Sequence, residues 1–427
     1  MNGASMSAIS RITIAAAAGL VWSVSSAAAA DLGGNCCADL EERIAELEAT
    51  TARKGNRKMS LTVSGQVTRS ILYWNDGGDS ATFAGLDNHA QSTRFVFSGT
   101  AKINPTLSAG FEFMTEIGFG GRTSGANQTS PDGSATTKWS GDELLAVRTA
   151  NWWLEDKTLG RVTVGRINLG GPVATIDLGG ISTVAHFSPG LVGGSFLFRD
   201  TAGALSAASM ASLIGPTYGG DRIEGIRYDS PSLAGFLFQA SWGEDEVWSA
   251  SLRYAGEFSG FRVAAGIGFQ HADFGQLDGG YAVVGTALNQ TALATLEARA
   301  ENEWSGSLAV MHTATGLFAQ GHYAHSEFFT GGDAGIWLVQ AGISRNWFGL
   351  GNTSLYGEYG KSHDFNSAVA AINTSDVKFF GLGAVQQIDA AAMELYLGWR
   401  RYDADTSAVA IGLQELDIVH GGARIRF

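Results

Sequence analysis

The stretch Leu61-Thr62-Val63-Ser64-Gly65-Gln66-Val67-Thr68-Arg69-Ser70-Ile71-Leu72-Tyr73 decides the fold. Leu61, Val63, Gly65, Val67, Ile71 and Tyr73 fall on one side of an extended chain, and Thr62, Ser64, Gln66, Thr68 and Ser70 on the other. Such a period of two belongs to a strand with one apolar and one polar face. It continues almost to the end of the sequence. Phe95, Phe97, Ala101 and Ile103 oppose Arg94, Ser98, Thr100 and Lys102, and Phe111, Phe113 and Ile117 oppose Ser108, Glu112 and Glu116. Phe261, Val263, Ala265, Ile267 and Phe269 alternate with Arg262, Gly266 and Gln270. Further segments begin near Trp304, Leu317, Ile336, Thr353, Val377 and Met393, and the last runs from Leu416 to Phe427.

Most segments are ~9 to 12 residues long, the length a tilted strand needs to cross a bilayer core. Their connections alternate between short and long. Asn104-Pro105-Thr106, Ser230-Pro231-Ser232 and Glu257-Phe258-Ser259-Gly260 are tight, whereas Gly118 to Gly141, Gly170 to Gly194 and Asp273 to Thr295 are long. A barrel in a membrane sorts its loops by side in this way, and a soluble sandwich has no reason to. The segments number roughly 16 to 18, with residues 144 to 198 hardest to divide; an even count with both ends on one side gives 16. The expected fold is therefore all-β, a 16-stranded antiparallel transmembrane β-barrel over residues 59–427, preceded by a short amphipathic helix. Tyr73-Trp74, Trp152-Trp153, Trp242, Trp337, Trp347-Phe348, Trp399 and Tyr402 lie near strand ends and are candidates for interfacial aromatic girdles.

The bulk numbers agree. Gly 58 against Pro 6, with Lys+Arg 28, Asp+Glu 41 and a formal net charge of -13, describe a glycine-rich, acidic chain. Nothing there builds the clustered basic surface that nucleic acid requires. Beyond the N-terminus no run approaches the ~20 apolar residues of a spanning helix, so a membrane role must use strands.

Residues 1–30 read as a cleaved secretory signal: Arg11 is the basic n-region, Ile12 to Val24 the apolar core and Ala28-Ala29-Ala30 the small-residue cleavage site. Met6 is an alternative start that gives a more compact n-region. Residues 31–58 form a leader. It holds the two cysteines of the chain, Cys36 and Cys37, which as neighbours pair with each other only under strain. From Asp39 to Arg53, Leu40, Ile44, Leu47 and Thr51 follow 4-3-4 spacing. Two heptads are marginal alone, so this helix either pairs with further copies through Leu40, Ile44 and Leu47 or is a solvated leader.

The block Asp39-Leu40-Glu41-Glu42-Arg43-Ile44-Ala45-Glu46-Leu47-Glu48, followed by Arg53-Lys54-Gly55-Asn56-Arg57-Lys58 and the strand Leu61 to Val67, closely resembles the start of mature alphaproteobacterial porins, those of the Rhizobiales type. The resemblance continues through Arg94-Phe95-Val96-Phe97-Ser98-Gly99, Leu159 to Arg166 and the ending Ala423-Arg424-Ile425-Arg426-Phe427. It implies a homotrimer of 16-stranded barrels in the outer membrane of a Gram-negative bacterium. Each would be a water-filled channel for passive diffusion of small hydrophilic solutes and ions, narrowed by its third extracellular loop. It also implies a periplasmic helix, and a terminal Phe427 similar to the signal read by the barrel-assembly machinery. Substrate-selective transport is the alternative. A structural protein tethered to peptidoglycan by its basic, helical N-terminus is another.

A pore filters by size and by the charges at its narrowest point. Gly170 to Gly194 is the candidate constriction loop, being rich in glycine and carrying Asp177 as its only carboxylate. Asp177 either faces cations across the gap or caps a turn. Arg94, Lys102, Arg253 and Arg262 have apolar neighbours that claim the lipid side, so they are expected in the lumen; Arg166 and Arg227 are further candidates. An Arg at mid-bilayer on the lipid face would cost roughly 2 to 4 kcal/mol, which makes the orientation firmer than the role. The eight histidines are scattered, and His322 and His325 point to opposite faces of one strand. No Gly-x-Ser-x-Gly elbow or phosphate-cradling loop occurs, so neither enzyme, metal nor cofactor is expected.

Overall fold

The computed structural model describes residues 58–117, 121–129, 145–170, 173, 176–214, 222–244, 247–272, 300–328, 332–364, 374–407, 409 and 411–427. The expected signal segment, the cysteine pair and the helix face of Leu40, Ile44 and Leu47 lie outside them. Strands β1 (Ser60–Asn75), β2 (Ser80–Asp87), β3 (Arg94–Lys102), β4 (Leu107–Ile117), β5 (Leu145–Asp156) and β6 (Gly160–Asn168) come first. A small hairpin follows, β7 (Leu197–Arg199) and β8 (Leu205–Ser209), then the short helix Met210–Ile214. The wall resumes with β9 (Arg222–Asp229), β10 (Phe236–Gly243), β11 (Trp248–Phe258), β12 (Phe261–His271) and β13 (Ala300–His312). It ends with β14 (Leu317–Phe328), β15 (Asp333–Arg345), β16 (Thr353–His363), β17 (Ser375–Ile388), β18 (Met393–Thr406) and β19 (Leu416–Arg426).

Each wall strand pairs antiparallel with the next, and β1 pairs with β19, so the sheet closes. β1 carries β2 on its upper half and β3 on its lower half. These two are one strand interrupted by residues 88–93, and the barrel has sixteen strands. Closure is sealed at the last residue. Gly65 and Phe427 exchange backbone hydrogen bonds of 2.9 and 3.1 Å, and the Phe427 ring lies 5.6 Å from that of Phe95. Gly65 makes room for this: a Cβ there would stand 2.6 Å from the Arg94 carbonyl oxygen and 2.8 Å from Phe427 Cζ.

Burial is inverted relative to a soluble protein, as the lipid solvent requires. Val63 and Ile71 are 50% and 56% exposed, whereas Gln66, Thr68 and Ser70 are buried facing inward. Turns at one end are short: 103–106, 157–159, 230–235 and 259–260. Connections at the other end include 118–144 and 169–221. The aromatic expectation divides. Tyr73, Trp152, Trp242, Trp337, Trp347 and Phe348 are exposed on the outside. Trp74 and Tyr402 instead face inward, buried, and Trp153 faces inward beneath Arg161, whose guanidinium lies 4.2 Å from its ring. Alternation explains the correction: Trp74 and Trp153 are neighbours of the outward rings Tyr73 and Trp152, and Tyr402 shares the inward face of Arg400 and Ala404.

Candidate functional site: the lumen and its folded loop

β6 and β9 are adjacent, with Asn168 opposite Arg222, so everything from 169 to 221 is one connection. The candidate 170–194 is its first part; the rest folds as β7, β8 and the short helix. The first part runs along the inner wall, strand by strand. Gly170 N donates to Ser241 Oγ of β10 at 2.7 Å, and Ser251 Oγ of β11 donates to the Gly170 carbonyl at 2.5 Å. Val173 N donates to Ser305 Oγ of β13 at 3.0 Å and Leu178 N to Gln320 Oε1 of β14 at 3.2 Å. Ser354 Oγ of β16 donates to the Gly179 carbonyl, and Gln340 Nε2 of β15 to the Ala185 carbonyl, both at 2.7 Å. Small hydroxyl and amide side chains on the inward face thus satisfy the loop backbone, which inside a barrel has no sheet partner.

The second part is held by apolar burial. Phe196, Phe198, Met210, Leu213 and Ile214 are almost fully buried against inward Trp74, Ile336, Leu338, Val377, Phe379 and Ile418. This is a small hydrophobic core inside the upper barrel. At its rim Arg199 donates to both carboxylate oxygens of Asp76, at 3.0 and 2.9 Å.

The strand cations separate into three groups. Arg94, Arg227 and Arg253 face inward: Arg94 donates to Gln91 Oε1 at 3.0 Å, Arg227 to Asp229 at 3.2 Å and Arg253 to Gln239 Oε1 at 2.6 Å. Lys102 and Arg262 stand exposed beside the short turns, Arg262 3.4 Å from Glu257. Arg166 departs from the lumen expectation. It lies in register with exposed Ala150 and Glu224 on the outer face, near the long-loop end, 3.8 Å from the Glu224 carboxylate. That acid, in the neighbouring strand, offsets the charge on that face.

A family model described as Gram-negative porin matches residues 13–414. The chain belongs to that family. This porin is an outer-membrane channel for passive diffusion. No curated relative matches the chain. Among solved structures, an anion-selective porin from Comamonas acidovorans is similar at 15% identity and TM-score 0.52, covering 86% of this chain and 100% of that one. Salmonella typhi OmpF, solved with daunomycin, gives 15% and 0.51, with 87% and 98% covered. The trimer form of OmpT from Vibrio cholerae gives 14% and 0.51, with 86% and 99% covered. At these identities the likeness is one of fold.

In this porin Asp177 caps its own turn. Oδ1 accepts from Gly180 N at 2.9 Å, and Oδ2 accepts from Ile181 N and Ser182 N at 2.8 Å. Among the described residues no cation pairs with it. A chain of hydrogen bonds ties it to the wall instead. Gln320 Nε2 donates to Asp177 at 3.2 Å and to Gln340 Oε1 at 2.8 Å, Gln340 Nε2 donates to Glu358 at 3.0 Å, and Glu358 accepts from Arg400 at 2.7 and 2.8 Å. Two other inward acids are paired: Glu116 with Arg148, and with Arg122 at 3.5 Å; Glu394 with Arg424 at 2.7 Å and Arg426 at 3.3 Å. Of the cations that sequence reasoning missed, Arg424 and Arg426 carried a signal, alternating with Ala423 and Ile425. Arg148 did not, because a bulge between Met114 and Thr115 breaks the alternation beside it.

The Asp76 and Arg199 pair gives the loop a pH dependence. Burial pushes the Asp76 carboxyl up, but hydrogen bonds from Arg199, Asp79 and Gly78 outweigh it and hold the native value below the ordinary one. A lowered native pKa means stabilisation that is present above the unfolded value of ~3.9 and is lost as pH falls through the native one. Hydrogen exchange in 196–213 should therefore rise in acid faster in the native protein than in Asp76→Asn, compared at each pH.

Proposed function

We propose that this porin is a homotrimeric general-diffusion channel of the alphaproteobacterial, Rhizobiales-like kind, in which the loop after β6 sets the constriction. The observation that carries the reading is the loop's path: it is bonded to the inner faces of β10, β11, β13, β14, β15 and β16, and among the described residues no such bond ties it to the wall strands β3, β4, β5 or β6. Solutes pass between that wall and the loop. Among the described residues many lumen polar groups are paired with one another, as in the chain from Asp177 to Arg400, which suits a filter better than a site for one chosen solute. Reconstitution in planar bilayers tests this: conductance should grow linearly with salt, and saturable block by one solute at low concentration would replace general diffusion with selective transport.

The N-terminal block supports the remaining assignments. Residues 1–30 direct export. The 31–58 leader places Leu40, Ile44 and Leu47 where three copies meet in the periplasm, beside basic residues suited to anionic peptidoglycan. Deleting Asp39 to Lys58 should leave conductance intact and reduce co-sedimentation with peptidoglycan. Phe427, clipped to Gly65 at the closing seam, is the residue offered to the assembly machinery. Its deletion should slow the appearance of the heat-modifiable barrel on gels with little change in the conductance of molecules that do assemble.

A further inference from the structure

The wall from β18 through β19, β1 and β3 to β5 is layered. Its carboxylates lie deep: Glu116 is 3% exposed and Glu394 2%. The arginines that neutralise them lie over them toward the water, with the side chains of Arg122 and Arg426 31% and 43% exposed. Arg148 and Arg424, both buried, bind Glu116 and Glu394 directly. Arg94, in the middle of this wall, is within electrostatic reach of Arg148, Arg222 and Arg424 as well as Glu116. Its hydrogen-bond partner is the neutral Gln91, and Glu116, opposite it in the β3–β4 register, has its carboxylate on Arg148 and Arg122. The nearby acids are otherwise engaged. Glu112 accepts from Thr149 at 2.8 Å, and Asp87 accepts from Thr93 at 2.6 Å and has Arg69 as a counter-charge. Farther along, Arg227 and Arg253 share Asp229. Across the lumen two carboxylates are held in place, Asp177 by backbone amides and Glu358 by Arg400.

We infer that the channel prefers small hydrophilic anions, inorganic or carboxylate, and that Arg94 with Arg122 sets this preference. This rests on the channel reading above. The chain's net charge of -13 points the other way. However, exposed acids such as Asp403, Asp405 and Glu327 lie toward the long-loop rim, and at physiological ionic strength their field decays over about 8 Å. The narrow passage has low-dielectric walls that focus the field of the groups lining it, so the guanidiniums decide.

The test is the reversal potential across a KCl gradient for full-length protein in planar bilayers. Wild type should give a chloride-to-potassium permeability ratio above one. Arg94→Gln and Arg122→Gln should each lower it, by about twofold or more. Arg94→Lys should keep it, because the charge remains, and Lys378→Gln, on the outer surface, should not change it. Arg122 stands on a loop, so its substitution leaves the strand ladder intact even where Arg94→Gln fails to assemble. Potassium preference in wild type, or ratios unmoved in both glutamine variants, overturns the inference. Absence of any conductance overturns the channel reading itself, a distinct result.

Discussion

Replacing residues 170–220 with a short glycine-serine turn should leave a closed barrel whose single-channel conductance rises about threefold or more. The replacement is geometrically permitted because Asn168 and Arg222 are already opposite each other in paired strands, so a tight turn can join β6 to β9 without moving the wall. The backbone ladder of the barrel does not pass through the loop. A sixteen-stranded barrel encloses more than its own side chains can fill, and in this molecule the loop occupies part of the remainder. Unchanged conductance would mean that the flow is limited elsewhere, and the assignment of the constriction would fall.

The same deletion should lower thermal stability. Ile336, Leu338, Val377 and Phe379 face the lumen fully buried beneath β7, β8 and the short helix. Uncovering them returns large apolar side chains to water at about 1.5 to 3 kcal/mol each. Substituting these four with Ser or Thr in the deletion background should recover part of the loss, because the new wall would match its wet surroundings.

That apolar patch also marks how far the sequence could be read. Alternation in Leu61 to Tyr73 is local, so the strands, their outward faces and the sorting of turns were legible. The patch was legible in principle. Ile336-Trp337-Leu338-Val339 is apolar on both faces, and a strand of that kind has protein on its inner side as well as lipid outside. Which loop covers it depends on contacts more than a hundred residues away, and no local pattern records those. The interruption at His89-Ala90-Gln91 is similar. It is fixed by Gln66 donating to the carbonyls of Gln91 and Ser92 at 3.0 and 2.9 Å, a partnership across the seam between β1 and β3. Charges followed the same division. Arg94, Arg227 and Arg253 obey alternation and were placed inward, while Arg166 followed its register outward. Asp177 had two readings, and the turn it caps required only the residues just after it.

Arg400→Met should destabilise the porin by about 3 to 5 kcal/mol, because it strands a buried carboxylate. Glu358 is 1% exposed at its side chain, and Arg400 satisfies both of its oxygens while stacking 5.3 Å from the Phe379 ring. Glu358→Leu combined with Arg400→Met should recover most of the loss, since two apolar side chains of similar volume remove both charges together. Unfolding midpoints of the two single variants and the double variant in detergent give the coupling directly. The relay extends the consequence to transport. Gln340 donates one bond to Glu358 and another to the Ala185 carbonyl of the loop, and Gln320 joins Gln340 to Asp177. A Glu358 left without its arginine draws Gln340 or water toward itself, so the loop loses an anchor while the wall stays closed. Arg400→Met should therefore show enlarged open-channel current noise at nearly unchanged mean conductance, and the double variant should be less noisy. Equal noise in all three proteins would separate the loop's anchoring from the wall's ion pair.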